Sequence, residues 1–271
     1  MLKQRVITAV GLSAVLIVVL LLSGISWVLP LVGAFLAVMG VYELLCVTGA
    51  KLSKPAVYIS LGGAVLIPLL PMPHYRILLA AVYIAAILVF VYMMYARPKL
   101  RLKSAAAVTG IALMISFLFK SLAELRATPD GLVYLISAVL ACMITDTAAF
   151  FVGRAWGKHK LAPNISPKKT VEGSLGGILC CAFLLTAIAA AYAGIAGRQL
   201  DYTGLILWVL PATVIAQFGD LSMSVIKRIV GVKDFGRLLP GHGGILDRLD
   251  SYLFVIPFTL LYCWVQGGFI S

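Results

Sequence analysis

Charge is the scarcest property of this chain: 12% of its 271 residues are Asp, Glu, Lys or Arg, against a hydrophobic fraction of 62%. A soluble domain lies near half apolar and a quarter charged, so this composition excludes an ordinary water-soluble fold. Acid is scarcest of all, with ten Asp and Glu residues against 22 Lys and Arg. There are three histidines and five cysteines. Cys46, Cys142, Cys180, Cys181 and Cys263 all fall in apolar segments, without C-x-x-C spacing or neighbouring histidines. Neither a zinc site nor a disulfide framework is indicated, and the cysteines read as small apolar residues. No internal repeat and no low-complexity tract is present.

What the chain has instead is long apolar runs, of the length read as bilayer spans. The runs predict membrane helices over 6–23, 26–47, 55–71, 75–96, 105–125, 131–153, 173–196, 203–229 and 250–269. The expected fold class is therefore all-α, a polytopic membrane protein of about nine spans. The third run carries Pro68 and Pro71 and is expected to tilt or end early, and the eighth is long enough to project beyond the bilayer. Lys3 and Arg5 before the first run mimic a signal peptide, but the many spans that follow predict a retained first helix. We read one membrane domain over 1–271, with lipid-embedded helices in 1–130 and the helices and cytoplasmic loops that carry most of the polar residues in 131–271.

The net charge of +12 sits in short connections between runs. That placement points to topology, not to nucleic acid. With a cytoplasmic N-terminus, every Lys and Arg except Arg76, Lys120, Arg126 and Arg198 falls on the cytoplasmic side. This bias is the positive-inside pattern and predicts an odd number of spans in the cell membrane.

Acidic residues inside apolar runs are costly, about 2.5–3.5 kcal/mol for Asp at a helix centre, and are usually functional. Asp146 lies near the cytoplasmic end of the sixth span and Asp220 within the eighth. Their bland alternative is a polar group hydrogen-bonded across helices. Glu43, near the end of the second span, reads as readily as an interfacial side chain as a site residue. Asp220, Ser224 and Lys227 are spaced i, i+4, i+7 and share one helix face. Such a stripe suits a metal and an anionic substrate, or forms a self-neutralised row of ion pairs.

The densest polar segment follows. Lys227, Arg228, Lys233 and Arg237 offer positive charge for phosphates, and residues 240–244 form a Gly-rich turn that a ligand can approach closely. A helix is expected to begin near Ile245, with free N–H groups that favour an anion. Asp247 and Asp250, at i and i+3, face the same way in it. Paired carboxylates beside phosphate-binding cations suggest Mg²⁺, a hard ion that takes oxygen ligands and bridges to phosphates. A second basic loop holds Ser166, Pro167, Lys168, Lys169 and Thr170. Ser166 or Thr170 could cap the helix that follows, and Lys168 and Lys169 could clamp a triphosphate. Its bland alternative is a loop that only sets topology.

Ser224, Lys227, Arg228, Lys233, Asp234, Gly236, Pro240, His242, Gly243, Gly244, Asp247, Arg248 and Asp250 together resemble the signature of the phosphatidate cytidylyltransferases. The stretch spans about a tenth of the chain, and the loop after Asp146 and the many-helix layout extend the likeness. The resemblance implies transfer of CMP from CTP to phosphatidate, with release of pyrophosphate. It places catalysis at Asp220, Asp247, Asp250, His242 and Lys227. CTP contacts then fall to Lys168, Lys169, Thr170, Ser224, Arg228, Lys233, Gly243, Gly244 and Arg248. Asp220, Asp247 and Asp146 would hold Mg²⁺, with a second cation such as K⁺ beside it. His242 would touch a phosphate, assist the leaving group, or simply hold the Gly turn. A homodimer is expected on the resemblance alone. Two other classes fit the residues less fully: an organic-anion transporter, and a related enzyme such as a CTP-dependent lipid-alcohol kinase or an ether-lipid cytidylyltransferase.

Overall fold

Where apolar runs of this length are interrupted only by short polar links, the backbone satisfies its own hydrogen bonds as helices. The computed structural model, which describes residues 2–48, 53–72, 74–96, 105–236, 238–239 and 243–270, follows that rule. Its helices are α1 (Leu2–Leu22), α2 (Val28–Thr48), α3 (Lys54–Leu69), α4 (Tyr75–Ala96), α5 (Ala105–Arg126), α6 (Gly131–Trp156), α7 (Val171–Ala196), α8 (Tyr202–Val230), α9 (Leu246–Leu249) and α10 (Tyr252–Gln266). Six helices among the described residues are long and apolar enough to cross a membrane, and three shorter apolar ones accompany them. The all-α expectation holds. α3 ends at Leu69, one residue past Pro68, in line with the early stop expected there.

One element is not helical. β1 (Lys160–Ala162) and β2 (Ser166–Thr170) pair antiparallel between α6 and α7. The hairpin feeds directly into α7, whose N-cap is Thr170: its hydroxyl oxygen accepts a hydrogen bond from the Gly173 amide at 3.1 Å. The cap expected at Ser166 or Thr170 thus falls to Thr170.

The helices pack as two groups, α2–α3–α5 and α6–α7–α8, with α10 wedged between them. The closest approach is α6 against α7. A Cβ on Gly173 would lie 2.6 Å from the Ala149 carbonyl oxygen, so the two backbones meet where only hydrogen fits. Buried polar tips lock the second group to α10. Trp208 donates its indole N–H to Thr259 Oγ1 at 3.1 Å, and Tyr262 donates its hydroxyl to the Gly204 carbonyl at 2.7 Å. Tyr83 of α4 donates to the Phe254 carbonyl at 3.1 Å. In a bilayer, where lipid tails are as apolar as Leu, close packing and such bonds replace the hydrophobic drive between helices. The cysteines are free. Cys142, Cys181 and Cys263 are buried, whereas Cys46 is exposed and Cys180 half-buried.

Candidate active site

The expected stripe on α8 finds its complement on the segment that returns toward it. Lys227 and Asp247 form a buried ion pair, Nζ to Oδ1 at 2.8 Å, with the ammonium also 5.4 Å from the Phe235 ring centroid. Two turns away, the carboxyls of Asp220 and Asp250 lie within hydrogen-bonding reach of each other. Asp247 and Asp250 do face the same way, as their spacing predicts, and the face they share is the one against α8. Asp220 also pairs with Lys169, which β2 brings in from the hairpin. The row is therefore not self-neutralised along α8. Each of its charges is met by a different element. Ser224 is buried between them.

Asp247 organises as much as it neutralises. Its Oδ2 accepts hydrogen bonds from the Phe235 amide at 2.7 Å and the Gly244 amide at 2.9 Å. Three protein donors thus hold its two oxygens. The carboxylate that meets Asp220 is Asp250. Asp146, on the open side of α6, lies within electrostatic reach of Asp220, Asp250, Lys169 and Arg248. Asp250 is itself fixed by the Ser251 amide, which donates to its Oδ1 at 2.8 Å.

A second carboxylate controls the turn from the far end of the sequence. Glu43, at the end of α2, is buried, and its two oxygens each accept a backbone bond at 2.9 Å, from Ile245 and Leu246. The free N–H groups expected to attract a substrate anion at the start of α9 are held by this internal one. The fit leaves no room for side chains: a Cβ on Gly244 would lie 2.4 Å from Glu43 Oε2, and one on Gly236 would lie 2.5 Å from Oε1. This clamp is the site feature that sequence reading underrated. Its only advance signal was an acid at the right end of an apolar run.

The remaining residues named from sequence divide by position. Lys168 and Lys233 are exposed, as mobile phosphate contacts would be. Arg228 donates to the Ile165 carbonyl at 3.0 Å and so ties α8 to the hairpin. Thr170 is buried in its capping role. Gly243 has φ +85°, a left-handed conformation suited to glycine, and its carbonyl accepts the Leu239 amide at 2.9 Å. Arg248 is exposed at the edge of α9. His242 and Arg237 lie outside the described residues.

The residues can be tested for a divalent ion by their donor chemistry. Among the described residues, no three Asp, Glu, His or Cys groups are gathered as a ready-made metal cage. Mg²⁺ asks for less, since it usually takes one or two carboxylates and leaves its other positions to water and phosphates. Asp220 and Asp250 supply such a pair, and two carboxyls this close repel unless a proton or a cation lies between them. The arrangement thus fits a metal that is completed by substrate.

Comparisons with known proteins give the chain's family. The Cytidylyltransferase family matches residues 3–266. The chain is 35% identical over 266 residues to a phosphatidate cytidylyltransferase of Staphylococcus haemolyticus (strain JCSC1435), covering 94% of this chain and 96% of the relative. It is 35% identical over 263 residues, with the same coverage, to that of Staphylococcus aureus (strain COL). A phosphatidate cytidylyltransferase of Bacillus subtilis (strain 168) is 40% identical over 175 residues, 64% of each chain. With a family match over almost its whole length, this chain belongs to the cytidylyltransferase family.

Proposed function

We propose that the chain transfers CMP from CTP to phosphatidate in the cell membrane, giving CDP-diacylglycerol and pyrophosphate. The observation that carries this reading is the meeting of Asp220, Asp250, Lys169 and Lys227 at the polar end of an apolar bundle. Acid and base from α8, the hairpin and the α9 segment converge where a lipid phosphate and a water-soluble triphosphate can both arrive. The basic connections support a cytoplasmic position for this end. A homodimer is part of the same reading.

In the reaction, a non-bridging oxygen of the lipid phosphate attacks the α-phosphorus of CTP. The bond from that phosphorus to the α–β bridging oxygen breaks, and its electron pair leaves with pyrophosphate. A phosphate monoester is already ionised near neutral pH, so no protein nucleophile is required. Lys169, with Lys168 and Lys233 on the exposed side, offsets the triphosphate charge. Arg228 holds the hairpin in place, and Asp247 keeps Lys227 and the Gly turn in register. Asp220 and Asp250, with Asp247 and Asp146 beside them, would hold Mg²⁺, which when bound supplies charge neutralisation at the phosphates. A second cation, such as K⁺, would share the Asp146 side. Ser224 completes the polar wall, and the role proposed for His242 is to touch a phosphate, assist the leaving group or hold the Gly turn. Catalysis is then positioning and electrostatic stabilisation.

Purified protein in mild detergent, given phosphatidate, Mg²⁺ and CTP labelled at the α-phosphate, is expected to move label into lipid and release pyrophosphate, with both lost in EDTA. Label that stays in water, or transfer of the γ-phosphate to a lipid alcohol, would refute the reading.

A further inference from the structure

An apolar groove runs along α6 toward the acid cluster. A cavity of about 360 Å³ runs between α1 and the rest of the bundle. Leu16 of α1, Leu36 of α2, Leu122 of α5, Val139 and Met143 of α6 and Ile256 of α10 line it. α1 packs chiefly on α2, which leaves the groove open along one side. Among its described lining residues, Arg248 alone is charged.

Two walls lead from the groove to the chemistry. On α6, Leu135, Val139 and Met143 recur every four residues along the groove, and Asp146 stands three residues further on the same face. On the other wall, Arg248 falls between Asp247 and Asp250, and it lies within electrostatic reach of Asp146. The groove is apolar along its length and cationic at the end where Arg248 stands, and that end lies within electrostatic reach of Asp146. From Met143 back to Leu135 it extends about 12 Å along the axis of α6 at about 1.5 Å per residue.

That sequence of surfaces matches a lipid whose anionic head must reach the acid cluster while its tail stays dry. We infer that the groove seats one acyl chain of the lipid substrate, with Arg248 at the mouth receiving the lipid phosphate. The identity of that lipid rests on the function proposed above. A guanidinium suits the task, because its planar fork binds a phosphate through two parallel N–H bonds. A chain that moves from bilayer to groove exchanges one apolar surroundings for another and gains little affinity. The groove therefore aims the phosphate and does not hold the lipid tightly, and its signature is selectivity between chain lengths.

Turnover with dioleoyl and with dihexanoyl phosphatidate is to be compared for the wild type, Val139→Trp, Leu16→Trp and Arg248→Lys. Leu16 is partly exposed, so its variant guards against a misfolded Val139→Trp. Each Trp variant is expected to lower kcat/KM for the dioleoyl lipid by about tenfold, a steric penalty of the size that overfilling a packed space imposes. The dihexanoyl lipid and the KM for CTP should be spared. Arg248→Lys should raise KM for both lipids by a larger factor than it raises that for CTP. An equal fall for both lipids, or no fall, overturns the groove assignment. A binding arm separates this from failure of the proposed reaction. Phosphatidate carrying a photoreactive group at one chain end should label peptides of α5, α6 or α10, competed by unlabelled phosphatidate and not by phosphatidylcholine. Labelling that phosphatidylcholine competes equally would overturn the inference even in an active enzyme. Labelling competed by phosphatidate alone in an inactive protein would uphold it.

Discussion

Glu43→Gln is the substitution that most directly probes how the site is held. Glu43 lies 202 and 203 residues from the two amides that it binds, so it links the first half of the chain to the Gly turn. Each bond to an ionised carboxylate contributes about 1.5–3 kcal/mol. Gln keeps one acceptor oxygen and turns the other into an NH₂ group facing an N–H donor. One charge-assisted bond is lost and one buried amide is left without a partner, a combined cost of about 3 kcal/mol. At about 1.4 kcal/mol per tenfold, the fraction of molecules with an ordered turn falls by roughly one hundredfold if the wild-type order is marginal, and by less if it has reserve. The helices keep their apolar packing, so the loss is local and the melting temperature moves little. We expect kcat to fall by about one to two decades. Glu43→Asp keeps the charge on a shorter arm and should restore part of kcat, whereas Glu43→Ala should not. Labelled-CTP kinetics together with thermal unfolding in detergent read both quantities. Undiminished kcat in Glu43→Gln, or Glu43→Asp no better than Glu43→Ala, would refute the clamp.

Three further outcomes follow from the same geometry. Lys227→Met strands the buried Asp247 carboxylate and should cost about 3–5 kcal/mol of stability, whereas Lys227→Met with Asp247→Asn should recover much of the melting temperature without activity; a double variant no more stable than Lys227→Met would deny the pair. Asp220→Asn removes one of two facing carboxyls, so turnover should drop by about a hundredfold or more while the thermal midpoint holds, and near-normal turnover would remove Asp220 from the ion's ligands. Thr170→Ala loses the α7 cap and should destabilise by about 1 kcal/mol in a thermal melt, with Thr170→Ser close to wild type; an equal loss in both would point to a role for the methyl group instead.

The helices were legible because bilayer thickness fixes their length and lipid fixes their composition. α8 was expected over 203–229 and runs from Tyr202 to Val230, and α7 begins two residues before its expected start because the Thr170 cap sets the boundary. Helical periodicity also placed Asp220, Ser224 and Lys227 on one face, and Asp247 with Asp250 on another. It could not say that the two faces meet. Partner choice between Lys227 and Asp247 is a tertiary event, 20 residues apart across a turn. The hairpin was invisible for a different cause: three and five residues are too few for a two-residue alternation to stand out, and the basic side chains there mimic a topogenic loop. Glu43 was hardest to read, since an acid at the end of a span needs no partner when water is near. Its partners are backbone amides, which carry no residue signature at all.

The length of α8 explains why the chemistry sits where it does. Its 29 residues extend about 43 Å at 1.5 Å per residue, whereas the hydrocarbon core is about 30 Å thick. Tyr202, exposed at its start, is the kind of residue that rests at a membrane interface. Counted from there, the hydrocarbon is spent about twenty residues on, near Ser222. Asp220 then stands at the inner edge of the apolar slab, while Ser224 and Lys227 stand just outside it. Lipid phosphates occupy that same depth. The carboxylates are close enough to hydrocarbon for their repulsion to be strong, and close enough to water for a triphosphate to reach them. Moving the stripe one turn deeper would bury Lys227 and Asp247 in lipid-level surroundings and raise the cost of their pair. Moving it one turn outward would let water screen the charges on which the transfer depends. The projecting end of α8 sets that depth, and the hairpin, the Glu43 clamp and α9 gather the remaining groups around it.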